Sequence, residues 1–448
     1  MFKYKIVATL LLSAFFPLSA WATDDSDTRL KTLDESVKKQ AEVIDSMREE
    51  IAKLKKQTEP PPPQPSGFFG GNAFTNPNIA MVLDFTGYSS NLNNNQLANR
   101  GIPGFIASPN AQGQPPAHTN GFNLDNAELS FVSPVDPYFN LYSNIPISEN
   151  GVSVEEAFFV TTALPEGWQI KAGKFKSNFS RLDAQHPHAW DFKDIALPYR
   201  AFLGDEGLGG DKGAQVTYLP ALSVYTLFGA EILQGENNVL FGTGPNAPDL
   251  PHAFSLFVKT SFEPTDNSTV YFGPSVVFGK ASNNTVTNLS AANASNGDNF
   301  DGTSSLYDME FVWKWKPTRS EGFILQSEYL YLAQDGSLTK TIGVGDGSLK
   351  RGQDGFYVQG TYQLDRWRYG VRYDALQIFA NTFQVNGVQQ NLGSQPWRTS
   401  AMVDFNPSEF TRIRFQYTND MSARDGQVNN EFFAQFIYTI GAHAAHTF

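Results

Sequence analysis

From Ile79 onward the chain is built of segments of about ten residues whose polarity alternates with a period of two, joined by connections that alternate between short and long. These two regularities constrain the fold more than any motif. Ile79, Met81, Leu83 and Phe85 alternate with Ala80, Val82, Asp84 and Thr86. Tyr307, Met309, Phe311, Trp313 and Trp315 alternate with Asp308, Glu310, Val312 and Lys314. Trp397, Thr399, Ala401, Val403 and Phe405 alternate with Arg398, Ser400, Met402 and Asp404. In a strand, successive side chains leave on opposite faces, so each segment has one apolar face and one mixed polar face.

Seven short turns are legible, at 133–137, 165–167, 219–221, 263–267, 316–320, 365–366 and 406–408. Between them lie eight longer polar connections, at 89–121, 148–152, 177–211, 235–252, 280–304, 333–353, 379–395 and 420–430. Fifteen connections join sixteen strands. An even strand count with short turns on one rim and long loops on the other predicts an all-β, 16-stranded antiparallel transmembrane barrel over 79–448, in the outer membrane. A soluble sandwich would also alternate. Against it stand the Asn-rich long loops and the aromatics at strand ends, Tyr138, Trp168, Trp315, Trp367 and Trp397, where interfacial girdles belong. A mean hydropathy of -0.32 beside 14% aromatic residues suits a barrel with a polar lumen and an apolar outside.

The N-terminal part follows other rules. Residues 1–22 read as a signal peptide, with Lys3 and Lys5, an apolar stretch from Ile6 to Leu18, and small residues at Ala20 and Ala22. Within 23–58, Leu30, Leu33, Val37, Gln40, Ile44, Met47, Ile51 and Leu54 are spaced alternately by three and four, the a and d positions of a coiled coil. Ile at a with a polar Gln at one d suits a trimer. Residues 59–78 open on a proline run and form a stiff spacer. With both ends of the barrel on the short-turn rim, the coiled coil lies in the periplasm, where it could reach the cell wall.

The last strand places Phe432, Ala434, Phe436, Tyr438, Ile440 and Phe448 on one face. A closing Phe448 resembles the signal by which barrel-assembly machinery recognises Gram-negative outer-membrane barrels, with His446 where an aromatic is usual. The whole of 79–448 resembles the 16-stranded trimeric porins by layout. Within them it is similar to the phosphate-selective O/P group and related substrate-specific porins with N-terminal coiled coils. The resemblance implies passive diffusion of small hydrophilic solutes by a homotrimer in outer-membrane lipid. It also implies that the third long loop, 177–211, enters the lumen and forms the constriction. The charged and imidazole groups of that loop are then the site candidates: Arg181, Asp183, His186, His188, Asp191, Asp194, Arg200, Asp205 and Glu206. Its many apolar residues need a surface to pack on, either the barrel wall or a partner subunit.

Across from this loop, strands thirteen to fifteen direct Arg368, Arg372, Arg398, Arg412 and Arg414 inward by alternation. Arginine stays charged and offers paired donors to phosphate or carboxylate. Such a wall facing loop carboxylates would set up a transverse field and a preference for anions. Alternatively these arginines pair with Asp308, Glu310, Glu328, Asp374 and Asp404 and only hold the barrel in shape.

Other chemistries are poorly served. His186-Pro187-His188 beside Asp183 and Asp191 invites a metal, but no second ligand cluster is visible in the sequence, so neither metal nor cofactor is expected. Zero cysteines exclude thiol chemistry. No nucleophile motif points to an enzyme. A formal charge of -12 argues against nucleic acid. A second function class stays open, a barrel anchor whose coiled coil ties the outer membrane to the cell wall.

Overall fold

The computed structural model describes residues 38–39, 77–149, 151–242, 248–286, 298–339 and 347–441. The chain divides into two units, Met1–Gly70 and Gly71–Phe448. In the first, only Lys38 and Lys39 are described, and they are helical. The signal peptide, nearly all of the coiled-coil segment, the proline spacer, His446 and Phe448 lie outside the described residues.

The second unit is a closed antiparallel barrel of sixteen long strands. They are β1 (Asn78–Ser90), β2 (Gly121–Asp136), β3 (Phe139–Ser148), β4 (Glu156–Thr161), β5 (Trp168–Lys176), β6 (Gly210–Tyr218), β7 (Tyr225–Leu233) and β8 (Ala253–Thr265). Then come β9 (Ser268–Val286), β10 (Asp298–Trp315), β11 (Glu321–Thr339), β12 (Gly347–Leu364), β13 (Trp367–Val385), β14 (Trp397–Ser408), β15 (Thr411–Asp420) and β16 (Asn429–Gly441). Each pairs with its chain neighbours, and β1 closes on β16 with Ala80 opposite Gly441 and Ser90 opposite Glu431. Two-residue ladders at 151–152 and 388–389 lengthen the hairpins that follow β3 and β13. At Asn386-Gly387 the hairpin turn takes positive φ at both residues, 51° and 75°, the geometry that matches strand twist.

Alternation sorts the two faces as the sequence predicts. Ala80, Val82, Asp84, Thr86 and Tyr88 are buried inside, while Tyr307, Met309 and Phe311 are exposed outside. Trp168, Trp315, Trp367 and Tyr138 stand exposed at the short-turn rim, and Trp397 opens β14 at the other. Strands β9 to β13 run 18 or 19 residues, longer than the ten-residue pattern suggests. Their ladders continue through polar residues at the long-loop rim, because backbone pairing needs no apolar side chain once a strand leaves the bilayer.

The core of this unit lies inside the lumen. The third long connection, 177–209, folds inward and buries Phe179, Leu182, Trp190, Ile195, Leu197, Tyr199, Phe202, Leu203 and Leu208. They pack on inward residues of the wall, among them Leu306, Leu330, Leu332, Tyr357 and Leu376. Ile102, Phe105 and Ile106 of the first loop and Leu240 and Phe241 of the fourth close over them, with the Phe105 and Phe202 rings 5.6 Å apart. The barrel wall is therefore the surface that the apolar loop residues need. The loop's two regular segments are a 3-10 turn, Pro187–Ala189, and a short helix α1 (Leu197–Leu203), which contacts β12 and β13. Pro198 suits the first turn, since its missing N–H costs no bond there.

Candidate functional site

Each wall arginine that alternation turns inward meets a carboxylate. Arg372 Nη2 lies 2.7 Å and Arg398 Nη1 2.8 Å from Asp194 Oδ2, and both also reach Asp374 Oδ2, at 3.0 and 3.5 Å. Arg398 donates to the Ile195 carbonyl, and Gln416 donates to Asp194. Arg368 bridges Asp191 of the loop and Asp404 of β14. Arg414 takes Asp404 bidentately, Nε to Oδ1 at 2.8 Å and Nη2 to Oδ2 at 3.0 Å. Arg412 donates to the His188 carbonyl at 3.3 Å and stands 3.9 Å from Asp404. The sequence leaves two uses open for these arginines, a field facing the loop or pairing within the wall; in the structure they pair with loop and wall carboxylates alike. Loop carboxylates and wall arginines are in contact rather than facing each other across a gap.

Exposure divides the wall. The Arg414, Arg372 and Arg398 side chains are 0%, 2% and 3% exposed, whereas Arg368 keeps 13% and Arg412 25%. Charges removed from water this fully are held only by close partners. Burial would raise Asp194, but Arg372 and Arg398 outweigh it and bring the carboxyl down to about 2. Burial likewise opposes, and Arg368 reverses, the shift at Asp191, which ends below the ordinary carboxylate range.

The remaining loop candidates separate into three places. Arg181 donates its backbone N–H to Glu328 and Nε to Gln326 on β11. Glu328 also accepts from Tyr199 and Tyr357, and lies with Asp308 and Glu310 in a buried acidic group, with Lys259 on Glu310. Asp183 braces the loop internally, accepting from Ser180 Oγ at 2.7 Å and from the Leu208 N–H at 2.9 Å. Its burial pushes the carboxyl up to about 6. Arg200 pairs with Asp205 at 3.0 Å near the loop's outer turn, where Asp205 and Glu206 are exposed.

His186 and His188 enter a corner that no sequence motif announces. His186 Nδ1 lies 3.2 Å from Glu128 Oε2 on β2 and 3.2 Å from Glu155 Oε2 just before β4. Its Nε2 lies 2.8 Å from Glu156 Oε2. The two imidazoles stack at 5.5 Å, and His188 Nδ1 is 3.7 Å from the same Glu128 oxygen. Burial would lower the His186 pKa, but Glu128, Glu155 and Glu156 raise it well above its ordinary value. Nearby, Lys193 of the loop reaches Asp125 at 3.0 Å and Asp84 at 3.6 Å. Asp183 and Asp191, the carboxylates nearest the histidines in sequence, bind elsewhere.

An apolar outer face set with rim aromatics, a charged inner face and a loop docked inside define the class: a membrane-spanning β-barrel with a furnished lumen. No protein-family model matches the chain. It is 37% identical over 395 residues, 85% of this chain and 81% of the relative, to a protein of Aquifex aeolicus (strain VF5) described as an uncharacterized protein. The chain belongs to the same family as that Aquifex protein. Among solved structures it is similar to the outer membrane channel DcaP of Acinetobacter baumannii, with a TM-score of 0.49, 13% identity, and 82% of this chain and 97% of that one covered. The anion-selective porin from Comamonas acidovorans gives 0.47, 8%, 82% and 99%. OmpT of Vibrio cholerae gives 0.47, 12%, 81% and 97%.

Proposed function

We propose that the protein is an outer-membrane porin that admits small hydrophilic solutes by passive diffusion, with loop 177–209 setting the width of its path. The observation that carries this is the contrast between the two faces of the wall. An anchor needs the apolar exterior, but it does not need an inner face that carries Asp84, Glu310, Arg372, Asp374, Asp404 and Arg414. A weak preference for anions is part of the proposal. It rests on Arg368 and Arg412, the wall arginines that keep solvent contact and so act on a passing ion at short range. A homotrimer in outer-membrane lipid, with the coiled coil in the periplasm, completes the reading.

The second reading is the closed anchor, with the coiled coil reaching the cell wall. It is favoured by the apolar core that the loop forms inside the barrel. Planar-bilayer recording across a KCl gradient separates the two. Stable conducting steps with an anion-side reversal potential support the porin. Silence from protein shown to be folded and inserted favours the anchor.

A further inference from the structure

The corner around His186 is put together from three separate parts of the chain. Glu128 comes from β2, Glu155 from the connection before β4, Glu156 from the start of β4, and His186 and His188 from the loop. Glu156 is fixed on its own account. Its Oε1 accepts the Lys176 backbone N–H at 2.8 Å and its Oε2 accepts Asn144 Nδ2 at 2.8 Å. An anionic acceptor 2.8 Å from His186 Nε2 places the ring hydrogen on that nitrogen. Nδ1 then turns toward two more carboxylate oxygens, both at 3.2 Å. One proton on Nδ1 can be directed at only one of them. Glu128, fully buried, has an Oε2 that makes no hydrogen bond of acceptable geometry.

A spherical cation has no such angular limit. Zinc with bonds of about 2.0–2.1 Å holds tetrahedral ligand atoms about 3.3 Å apart, close to the 3.2 Å from Nδ1 to each of the two carboxylate oxygens. The three donor atoms of Glu128, Glu155 and His186 lie within 4.8 Å of one another. We propose that this corner is a transition-metal site in which a zinc-class divalent cation is bound by His186 Nδ1, Glu128 Oε2 and Glu155 Oε2, with His188 beside it as a fourth donor. Imidazole with carboxylate selects zinc or nickel over calcium or magnesium. Glu156 on the far nitrogen is the outer carboxylate that orients a metal-bound histidine. Charge agrees. Glu128, Glu155 and Glu156 bring three negative charges, Lys176 on Glu155 Oε1 at 2.9 Å brings one positive, and a divalent ion with neutral imidazoles completes the balance. Bound there, the ion would tie the loop to the β2–β4 wall, a second pin besides the arginine contacts with β13–β15.

The test uses the full-length folded barrel in detergent, stripped with a chelator. Zn²⁺ is titrated calorimetrically, and Co²⁺ is followed by its visible absorption. The expected result is one zinc per chain and the intense band of four-coordinate cobalt. Glu156→Gln should weaken zinc about 10–100-fold, as loss of an outer carboxylate does. His186→Gln and Glu155→Gln should each abolish the site. Glu155 sits on a connection at the rim, so its variant tests the idea even if His186→Gln does not fold. Absence of zinc binding by the stripped wild type overturns the proposal. So does undiminished binding in Glu155→Gln with normal folded-barrel migration.

Discussion

Replacing Asp194 by Asn isolates what docks the loop. The change keeps the shape of the side chain and removes the charge that Arg372 and Arg398 share at 2.7 and 2.8 Å. Those guanidinium groups are 2% and 3% exposed, so the variant leaves two buried cations sharing the Asp374 carboxylate, with only backbone carbonyls besides. Breaking a buried pair from one side costs about 3–5 kcal/mol. At about 1.4 kcal/mol per factor of ten, the detached loop becomes roughly a hundredfold to several thousandfold more populated. Amide hydrogen exchange reads that population at Lys193, whose N–H donates to Gln416, and at Leu197, whose N–H donates to Asp374. Both should lose protection by that factor while the amides of β10 to β12 keep theirs. Asp205→Asn is the control. Its pair with Arg200 is on the surface, where such pairs contribute about 0.2–1 kcal/mol, so exchange should rise only a few-fold. Equal exchange in Asp194→Asn and wild type would refute the claim that these ion pairs hold the loop.

The wall arginines should separate by burial. Arg412→Gln should move the reversal potential toward cations with little loss of stability, whereas Arg414→Gln should leave selectivity alone and lower the thermal unfolding temperature, since Asp404 loses its bidentate partner. The opposite pattern would reverse their roles. Asp183 makes docking depend on pH. Its carboxyl titrates at about 6 in the folded chain against an ordinary 3.8, so the folded state binds the extra proton. The stability this confers is full below about 4 and is lost as pH rises through about 6. Asp183→Asn should flatten the loop's exchange protection across that window, and an unchanged profile would count against it.

Much of this was legible because a period of two runs through most of the strands and the turns carry Pro, Gly, Asp and Asn. Strand count, the loop's position between β5 and β6 and the inward arginines all follow from that arithmetic. Four things do not. The strand ends on the long-loop rim lie among polar residues whose ladder leaves no hydropathy signal. Leu306, Leu330 and Leu332 face inward as a seat for the loop, and an inward leucine is unrecognisable until something is known to fill the lumen. Asp125 and Glu128 are three apart, so strict alternation sends them to opposite faces. The register shift in β2, where Asp84 pairs with Asn126 and Phe85 with Leu124, leaves Asp125 as an extra residue and lets both reach the interior. Glu155 and Glu156, adjacent and unremarkable in sequence, meet His186 only through the fold.

The closure of β1 on β16 imposes an order of events. Ala80 cannot find Gly441 until nearly the whole barrel sequence has been delivered, so every earlier intermediate carries two open sheet edges. The loop between β5 and β6 exists long before its seat does, because Asp191 and Asp194 wait for arginines on β13 and β14. Filling the lumen and sealing the cylinder thus both require the C-terminal strands. Until both are complete, the buried cations and anions of the interior have only water for company, and the chain depends on its surroundings to keep its edges apart from those of its neighbours.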